Sequence, residues 1–304
     1  MQKPTRPLLH FAFCIRAWFT VKQIILIGDP VAHSRSPAMQ NAALSALGLA
    51  ARYEALRTTA DELPNRVAAL RGPEFLGANV TLPHKQAVLP LLDALEDEAS
   101  QIGAVNTIYK AADGRLIGAN TDAPALLADL AEAGYDPAGR SAVILGASGA
   151  ARAAAFALVG AGATSLVVAN RSLERAEELL ADLLIALTDE DGLMVSGELP
   201  PTLIALTLDD PELPALIAGC DLLVNATALG WHADETPLPD PPVAPQCLVY
   251  DMVYRETRLL REAAARGAAT RHGLGMLLHQ GALALARITG RAAPLAIMRA
   301  ALEQ

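Results

Sequence analysis

The sequence predicts an α/β protein of two domains with largely parallel sheets. Short apolar runs alternate with helix-length amphipathic segments along most of the chain. A length of 304 residues sets a prior of about two domains. The composition, 52% hydrophobic and 19% charged, suits a sizeable packed core and not a disordered chain.

The strands are expected at QIILIG (23–28), RYEALR (52–57), FLGANVT (75–81), AVNTIYK (104–110), SAVILG (141–146), SLVVAN (165–170), DLLVNAT (221–227) and CLVYDM (247–252). Ser36 before Pro37 reads as an N-cap and N1 pair that opens a helix. Pro83 is expected to start a helix running into QAVLPLLDAL, with Lys85 in its first turn. Ala112-Asp113-Gly114, between NTIYK and GRLIGAN, is a hairpin signal. A boundary falls near residue 120, after which Pro124 opens a helix and a fresh βαβ series begins. LERAEELLADLL (173–184) sets Glu and Arg opposite a Leu/Ala stripe, as an amphipathic helix does. A proline-rich zone from His232 to Pro245 precedes the last strand, and from about residue 273 the pattern is helical to the end. Residues 1–20 are apolar but interrupted by Arg16, too short to span a bilayer, and read as an extension that need not belong to the fold.

A net charge of −9 without a Lys/Arg block offers nothing to nucleic acid or an anionic membrane. Cys14, Cys220 and Cys247 are far apart in sequence and form no disulfide framework, which fits a reducing cytoplasm. The histidines lack metal-ligand spacing, so no metal site is expected.

Chemistry concentrates in a few places. SAVILGASGAARAAAFAL is a strand, a Gly turn and a helix of small residues, the arrangement that seats a pyrophosphate on a helix N-terminus. It matches the dinucleotide fingerprint imperfectly, with Ser148 at the middle glycine and Ala151 at the third, so a plain tight turn competes. Ser148 also invites comparison with a nucleophile elbow, but Ala150 stands at that motif's last glycine. The next strand discriminates. NAD sites carry an acidic residue roughly 20 residues past the glycines; here the strand ends in Asn170-Arg171-Ser172, with Arg175 one helical turn on. A guanidinium suits a 2′-phosphate, so a Rossmann-type domain preferring NADP is expected, although a solvated first helical turn would also account for both arginines.

In the first half, Ser36 is accounted for as a helix start, whereas Ser34 is not, and two hydroxyls beside helix N–H groups make a seat for a small carboxylate. A lysine at a helix N-terminus is disfavoured by the dipole, which would lower its pKa and suit Lys85 to proton transfer. Asp122 reads either as the N-cap of the Pro124 helix or as the partner of that lysine.

Together AHSRSP (32–37), GANVTLPHK (77–85), GAVNTI (103–108), GANTDA (118–123), ILGASGAARA (144–153), ANRS (169–172), NATALG (225–230), YDMVY (250–254) and GLGMLLHQGA (273–282) resemble the shikimate dehydrogenase family from about residue 23 to the end. The resemblance implies an N-terminal substrate domain (1–121, with 1–20 an extension) completed by C-terminal helices at 277–304, and a Rossmann-type NADP-binding domain at 122–276. It implies Lys85 and Asp122 as the catalytic pair. Ser34, Ser36 and Tyr254 would hold the substrate carboxylate, and Thr81, Asn106 and Gln280 would contact ring hydroxyls. Gly146, Ala147, Ser148, Gly149 and Ala150 would form the phosphate loop, with Asn170, Arg171, Ser172 and Arg175 at the 2′-phosphate. Thr227, Val253, Gly275 and Met276 would lie near the nicotinamide half. Ser148, Ala119, Ala123 and Ala228 depart from the family pattern without removing any of these groups.

The implied reaction is reversible NADP-dependent reduction of 3-dehydroshikimate to shikimate in aromatic biosynthesis, by a cytoplasmic monomer or homodimer. A quinate or dual quinate/shikimate dehydrogenase would share nearly every motif, but Ser36 and Arg171 lean away from it. A serine hydrolase at Ser148 lacks convincing acid–histidine partners. A non-catalytic metabolite-binding protein of the same fold is disfavoured by intact Lys85 and Asp122.

Overall fold

The computed structural model describes residues 21–188, 200–232 and 234–303; the expectations for residues 1–20, Cys14 included, lie outside them. In the first half, β1 (Lys22–Gly28), α1 (Ser36–Ala46), β2 (Ala51–Arg57), α2 (Leu63–Ala69) and β3 (Phe75–Val80) are followed by a 3-10 turn (Leu89–Leu91). Then come β4 (Ala94–Leu95), α3 (Asp97–Ile102), β5 (Thr107–Lys110) and β6 (Leu116–Ala119). The sheet runs β2-β1-β3-β5-β6-β4. The β1–β2 and β1–β3 pairs are parallel, while β5 lies antiparallel between β3 and β6. The β5–β6 hairpin turns at the expected Ala112-Asp113-Gly114, closed by the Ala111 N–H on the Arg115 carbonyl (2.9 Å) and Gly114 at φ 87°.

Helix α4 (Asp122–Glu132) leads into β7 (Ser141–Leu145), α5 (Gly149–Gly160), β8 (Ser165–Asn170), α6 (Leu173–Leu187), β9 (Thr202–Thr207), α7 (Leu213–Gly219), β10 (Leu222–Asn225), β11 (Leu248–Asp251), α8 (Arg258–Ala265) and β12 (Ala269–His272). This sheet is parallel throughout, in the order β12-β11-β10-β7-β8-β9. That is the doubly wound order, whose direction of winding reverses between β7 and β10 and leaves a crevice outside their carboxyl ends. Finally α9 (Leu274–Thr289) and α10 (Leu295–Leu302) return to the first sheet. Their Leu278, Leu285, Met298 and Leu302 are buried with Ile24, Met39 and Tyr53, and Gln40 Nε2 donates to the Gly281 carbonyl (2.9 Å).

Each sheet has an apolar cluster on both faces, which explains why its central strands read as continuous apolar runs. Between the sheets the contact is made of small residues, Ala104, Ala123, Ala153 and Ala157 around Ile102. Arg152, 4% exposed, crosses there, donating from Nε to the Ile102 carbonyl (2.7 Å) and pairing with Asp182.

The structure differs from the sequence reading in five ways. No helix begins at Pro83: residues 82–88 form successive turns, so Lys85 does not sit at a helix N-terminus and the dipole argument falls away. Ser36 is the first helical residue and not the cap; its own N–H donates to Ser34 Oγ (3.2 Å). The strand expected at 104–110 starts at Thr107, and Asn106 just before it lines the cleft. Cys220 and Cys247, distant in sequence, meet with their Sγ atoms 3.8 Å apart where the adjacent strands β10 and β11 begin. Strands β4, β9 and β12 were not anticipated: β4 has two residues, and β12 (ATRH) is a largely exposed edge strand without apolar alternation.

Candidate active site

The turn after β3 delivers Lys85. His84, almost fully buried, anchors it by donating from Nε2 to the Thr58 carbonyl (2.6 Å), and the Val105 N–H donates to the Lys85 carbonyl (2.8 Å). The start of α4 delivers Asp122. Asn120 Oδ1 accepts the N–H groups of Asp122 (2.9 Å) and Ala123 (3.3 Å), so the capping duty falls on Asn120 and the Asp122 carboxylate is free of it. Lys85 Nζ lies 2.5 Å from Asp122 Oδ2, with the side chains 11% and 6% exposed. A charge-assisted bond this sheltered from water holds both groups in one geometry.

Asn106 sets the other carboxylate oxygen. Its Nδ2 donates to Asp122 Oδ1 (2.8 Å) and Thr121 Oγ1 (2.9 Å), while its Oδ1 accepts the Thr121 N–H (2.8 Å). Asn79 braces this arrangement from behind: it accepts the buried Tyr53 hydroxyl (2.9 Å) and donates to the Asn106 carbonyl (3.1 Å) and Thr107 Oγ1 (3.1 Å). Burial pushes the Tyr53 phenol's pKa up, which keeps it a donor.

Ser34, Ser36, Thr81, Lys85, Asn106, Asp122, Tyr254 and Gln280 all line one cleft of about 990 Å³. Ser148, Ala150, Thr227, Val253 and Met276 line the same cleft from the side of the second sheet. Gly146, at φ 107°, and Ala147 make the turn between β7 and α5. Ser148 caps α5 through the Ala151 N–H (3.4 Å) and donates its hydroxyl to the Ala226 carbonyl (3.0 Å), which engages the group a hydrolase would need free. A Cβ on Gly149 would lie 2.9 Å from Lys85 Cβ, so this glycine lets α5 close on the Lys85 turn.

Asn170, Arg171, Ser172 and Arg175 stand outside the cleft lining, at the carboxyl end of β8. Ser172 caps α6 through the Arg175 N–H (3.4 Å), and Asn170 Nδ2 donates to the Ser172 carbonyl (3.0 Å). Arg171 and Arg175 are exposed, and neither enters an ion pair with another described residue. Gly275 is in the first turn of α9.

Three supporting carboxylates and amides escaped sequence reasoning. Asp129, fully buried on α4, accepts the Met276 N–H (3.1 Å) and the Tyr250 hydroxyl (2.6 Å) and pairs with Arg271. Asp251 accepts from Asn225 Nδ2 (3.0 Å), the Val253 N–H (3.0 Å) and the Thr257 hydroxyl (2.6 Å). Burial outweighs these bonds and raises the Asp251 pKa from its ordinary value. Asn225 in turn accepts the Thr227 N–H (3.0 Å) and hydroxyl (2.7 Å). The available signal was an Asp on the apolar face of α4 and an Asn and an Asp ending apolar strands.

The chain is also similar to known proteins. A model described as the shikimate dehydrogenase substrate binding domain matches residues 26–108, and one described as the shikimate 5'-dehydrogenase C-terminal domain matches residues 273–303. A shikimate dehydrogenase (NADP(+)) of Moorella thermoacetica is 46% identical over 285 residues, 92% of each chain. The chain belongs to the shikimate dehydrogenase family. Among solved members, the shikimate 5-dehydrogenase of Thermus thermophilus in complex with NADP(H) and shikimate is 39% identical, with a TM-score of 0.78 over 93% of this chain and 98% of that one. A quinate dehydrogenase of Corynebacterium glutamicum in complex with NAD is 32% identical, with a TM-score of 0.80 over 93% and 98%. The family's fold therefore hosts both substrates, and the choice between them rests on side chains.

Proposed function

We propose that the chain is an NADP-dependent shikimate dehydrogenase, reversibly reducing 3-dehydroshikimate to shikimate in the cytoplasmic route to aromatic compounds. The observation that carries this reading is the Lys85–Asp122 pair at 2.5 Å, set in a cleft that also presents the hydroxyls of Ser34, Ser36, Thr81 and Tyr254 and the amides of Asn106 and Gln280. Such a lining suits a polyhydroxylated substrate. In this reading residues 1–121 and 277–304 bind the substrate and residues 122–276 the cofactor. NADP is supported by the α5 N-terminus at the point where the winding reverses and by two arginines without ion-pair partners among the described residues.

When bound, NADPH supplies the hydride. Lys85 donates a proton to the substrate oxygen as the carbonyl carbon is reduced, and takes it back in the reverse direction. Asp122 keeps the lysine aimed at that oxygen, and Asn106 keeps Asp122 aimed at the lysine. Thr81 and Gln280 orient ring hydroxyls; Ser34, Ser36 and Tyr254 hold the carboxylate. Burial raises the Tyr254 pKa, against the opposing charge of Arg35, so the phenol remains a donor at neutral pH.

Absorbance assays offering shikimate or quinate with NADP or NAD test the reading. Shikimate with NADP is expected to turn over fastest, and Arg171→Ala should narrow the preference for NADP over NAD. Faster NAD reduction with quinate would replace this assignment by the quinate one, and no turnover with any pair would favour a binding protein.

A further inference from the structure

Tyr254 bridges the mouth of the cleft. It follows β11 of the second sheet, yet its hydroxyl donates to the His33 carbonyl on the side of the first sheet (3.3 Å). Its ring packs on Trp231 in a T-shaped contact, with centroids 4.7 Å apart and planes at 78°. Trp231 belongs to the loop after β10 and is itself fastened: Arg255 Nη1 donates to its carbonyl (2.7 Å), and Glu235 Oε2 accepts the N–H groups of Gly230 (3.4 Å) and His232 (3.3 Å). Both rings line the cleft alongside His33 and Ser34.

We propose that Trp231 is a positioning residue for substrate binding, bracing the Tyr254 ring so that its phenol points at the carboxylate seat formed with Ser34 and Ser36. The inference rests on the function proposed above. A tyrosine hydroxyl at the end of a rigid ring has a direction only if the ring is held from the side, and the indole supplies that support. A T-shaped pair stabilises beyond its buried area by enough to change an affinity by roughly two- to tenfold.

Kinetics of the wild type, Trp231→Ala, Trp231→Phe and Tyr254→Phe test this. Trp231→Ala is expected to raise the KM for shikimate by roughly two- to tenfold, with kcat and the KM for NADP within about twofold, and Trp231→Phe should restore the wild-type value. The wild-type preference for shikimate over its methyl ester should shrink in Trp231→Ala, because the lost aim concerns the carboxylate. In a Tyr254→Phe background, Trp231→Ala should add little. A shikimate KM that stays at the wild-type value, that rises in step with the KM for NADP, or that worsens additively with Tyr254→Phe would overturn the inference. If Trp231→Ala fails to fold, the emission of Trp231 decides: Trp18 is the other tryptophan, and in a Trp18→Phe protein shikimate should shift the emission at saturating concentrations matching its KM. An unchanged emission would argue against the proposal. A wild type that does not turn over shikimate would sink the proposed function itself, whereas an active wild type with an indifferent Trp231→Ala sinks only this inference.

Discussion

Lys85 comes from the turn after β3 and Asp122 from the first turn of α4, 37 residues on, and each is held in place by a neighbour. Under the proposed function Lys85→Ala should lower kcat by on the order of 10²-fold or more, the usual cost of a positioned acid–base group. Near wild-type turnover would remove Lys85 from that role. Asn106→Ala should also lower kcat, by less, since Asp122 keeps its bond to Lys85 while losing the one that fixes its other oxygen. The Lys85–Asp122 contact was only partly legible: the sequence offered Asp122 either as a helix cap or as the lysine's partner, and the structure places the two groups 2.5 Å apart. The role of His84 was not legible, because its partner is the Thr58 carbonyl 26 residues away and no local pattern announces it. Lys85 drew attention partly for a wrong reason: Pro83 suggested a helix start, and the chain makes turns instead.

At the scale of elements, α9 begins without a capping side chain of its own, and Asp129 on α4 takes that place by accepting the Met276 N–H (3.1 Å). Asp129→Asn would leave the Arg271 charge without its buried partner. The expected loss is roughly 3 kcal/mol, the low end for breaking a buried pair, because Arg271 keeps some contact with water. Urea unfolding measures it, and a loss below about 1 kcal/mol would show that Asp129 matters little to this junction. Most strands were legible from apolar runs, since both faces of each sheet are covered. The edge strand β12 was not, as half-exposed residues need no periodic signal. The meeting of Cys220 with Cys247 follows from strand order, which pairs β10 with β11 across a long loop, and spacing along the chain says nothing about it.

At the scale of the molecule, stability in acid depends on pairs such as Arg71–Asp93 (2.7 Å), which ties the end of α2 to β6 through the Leu116 N–H (2.8 Å). The Arg71 bond, and then the Leu116 N–H, hold the Asp93 carboxyl at about 2 against an ordinary 3.8. A folded pKa below the unfolded one contributes stability above about 3.8, and that contribution is lost as the pH falls through about 2. Asp93→Asn should therefore be less stable than the wild type at pH 6, with the difference shrinking on acidification between about 4 and 2. A difference independent of pH in urea unfolding would discount the pair. The division into two sheets was legible near residue 120, but the docking of α9 and α10 on the first sheet was expected only through family resemblance, because their apolar faces do not say which core they fill. The chain crosses between the sheets twice, at Asn120–Thr121 and at Gly273, and the crossing helices α4 and α9 lie against each other, with Thr121 Oγ1 donating to the Gln280 carbonyl (3.1 Å). Two adjacent connections restrict relative sliding and twisting more than a single one would, and the same pair of crossings brings Gly149 on one side face to face with Lys85 on the other.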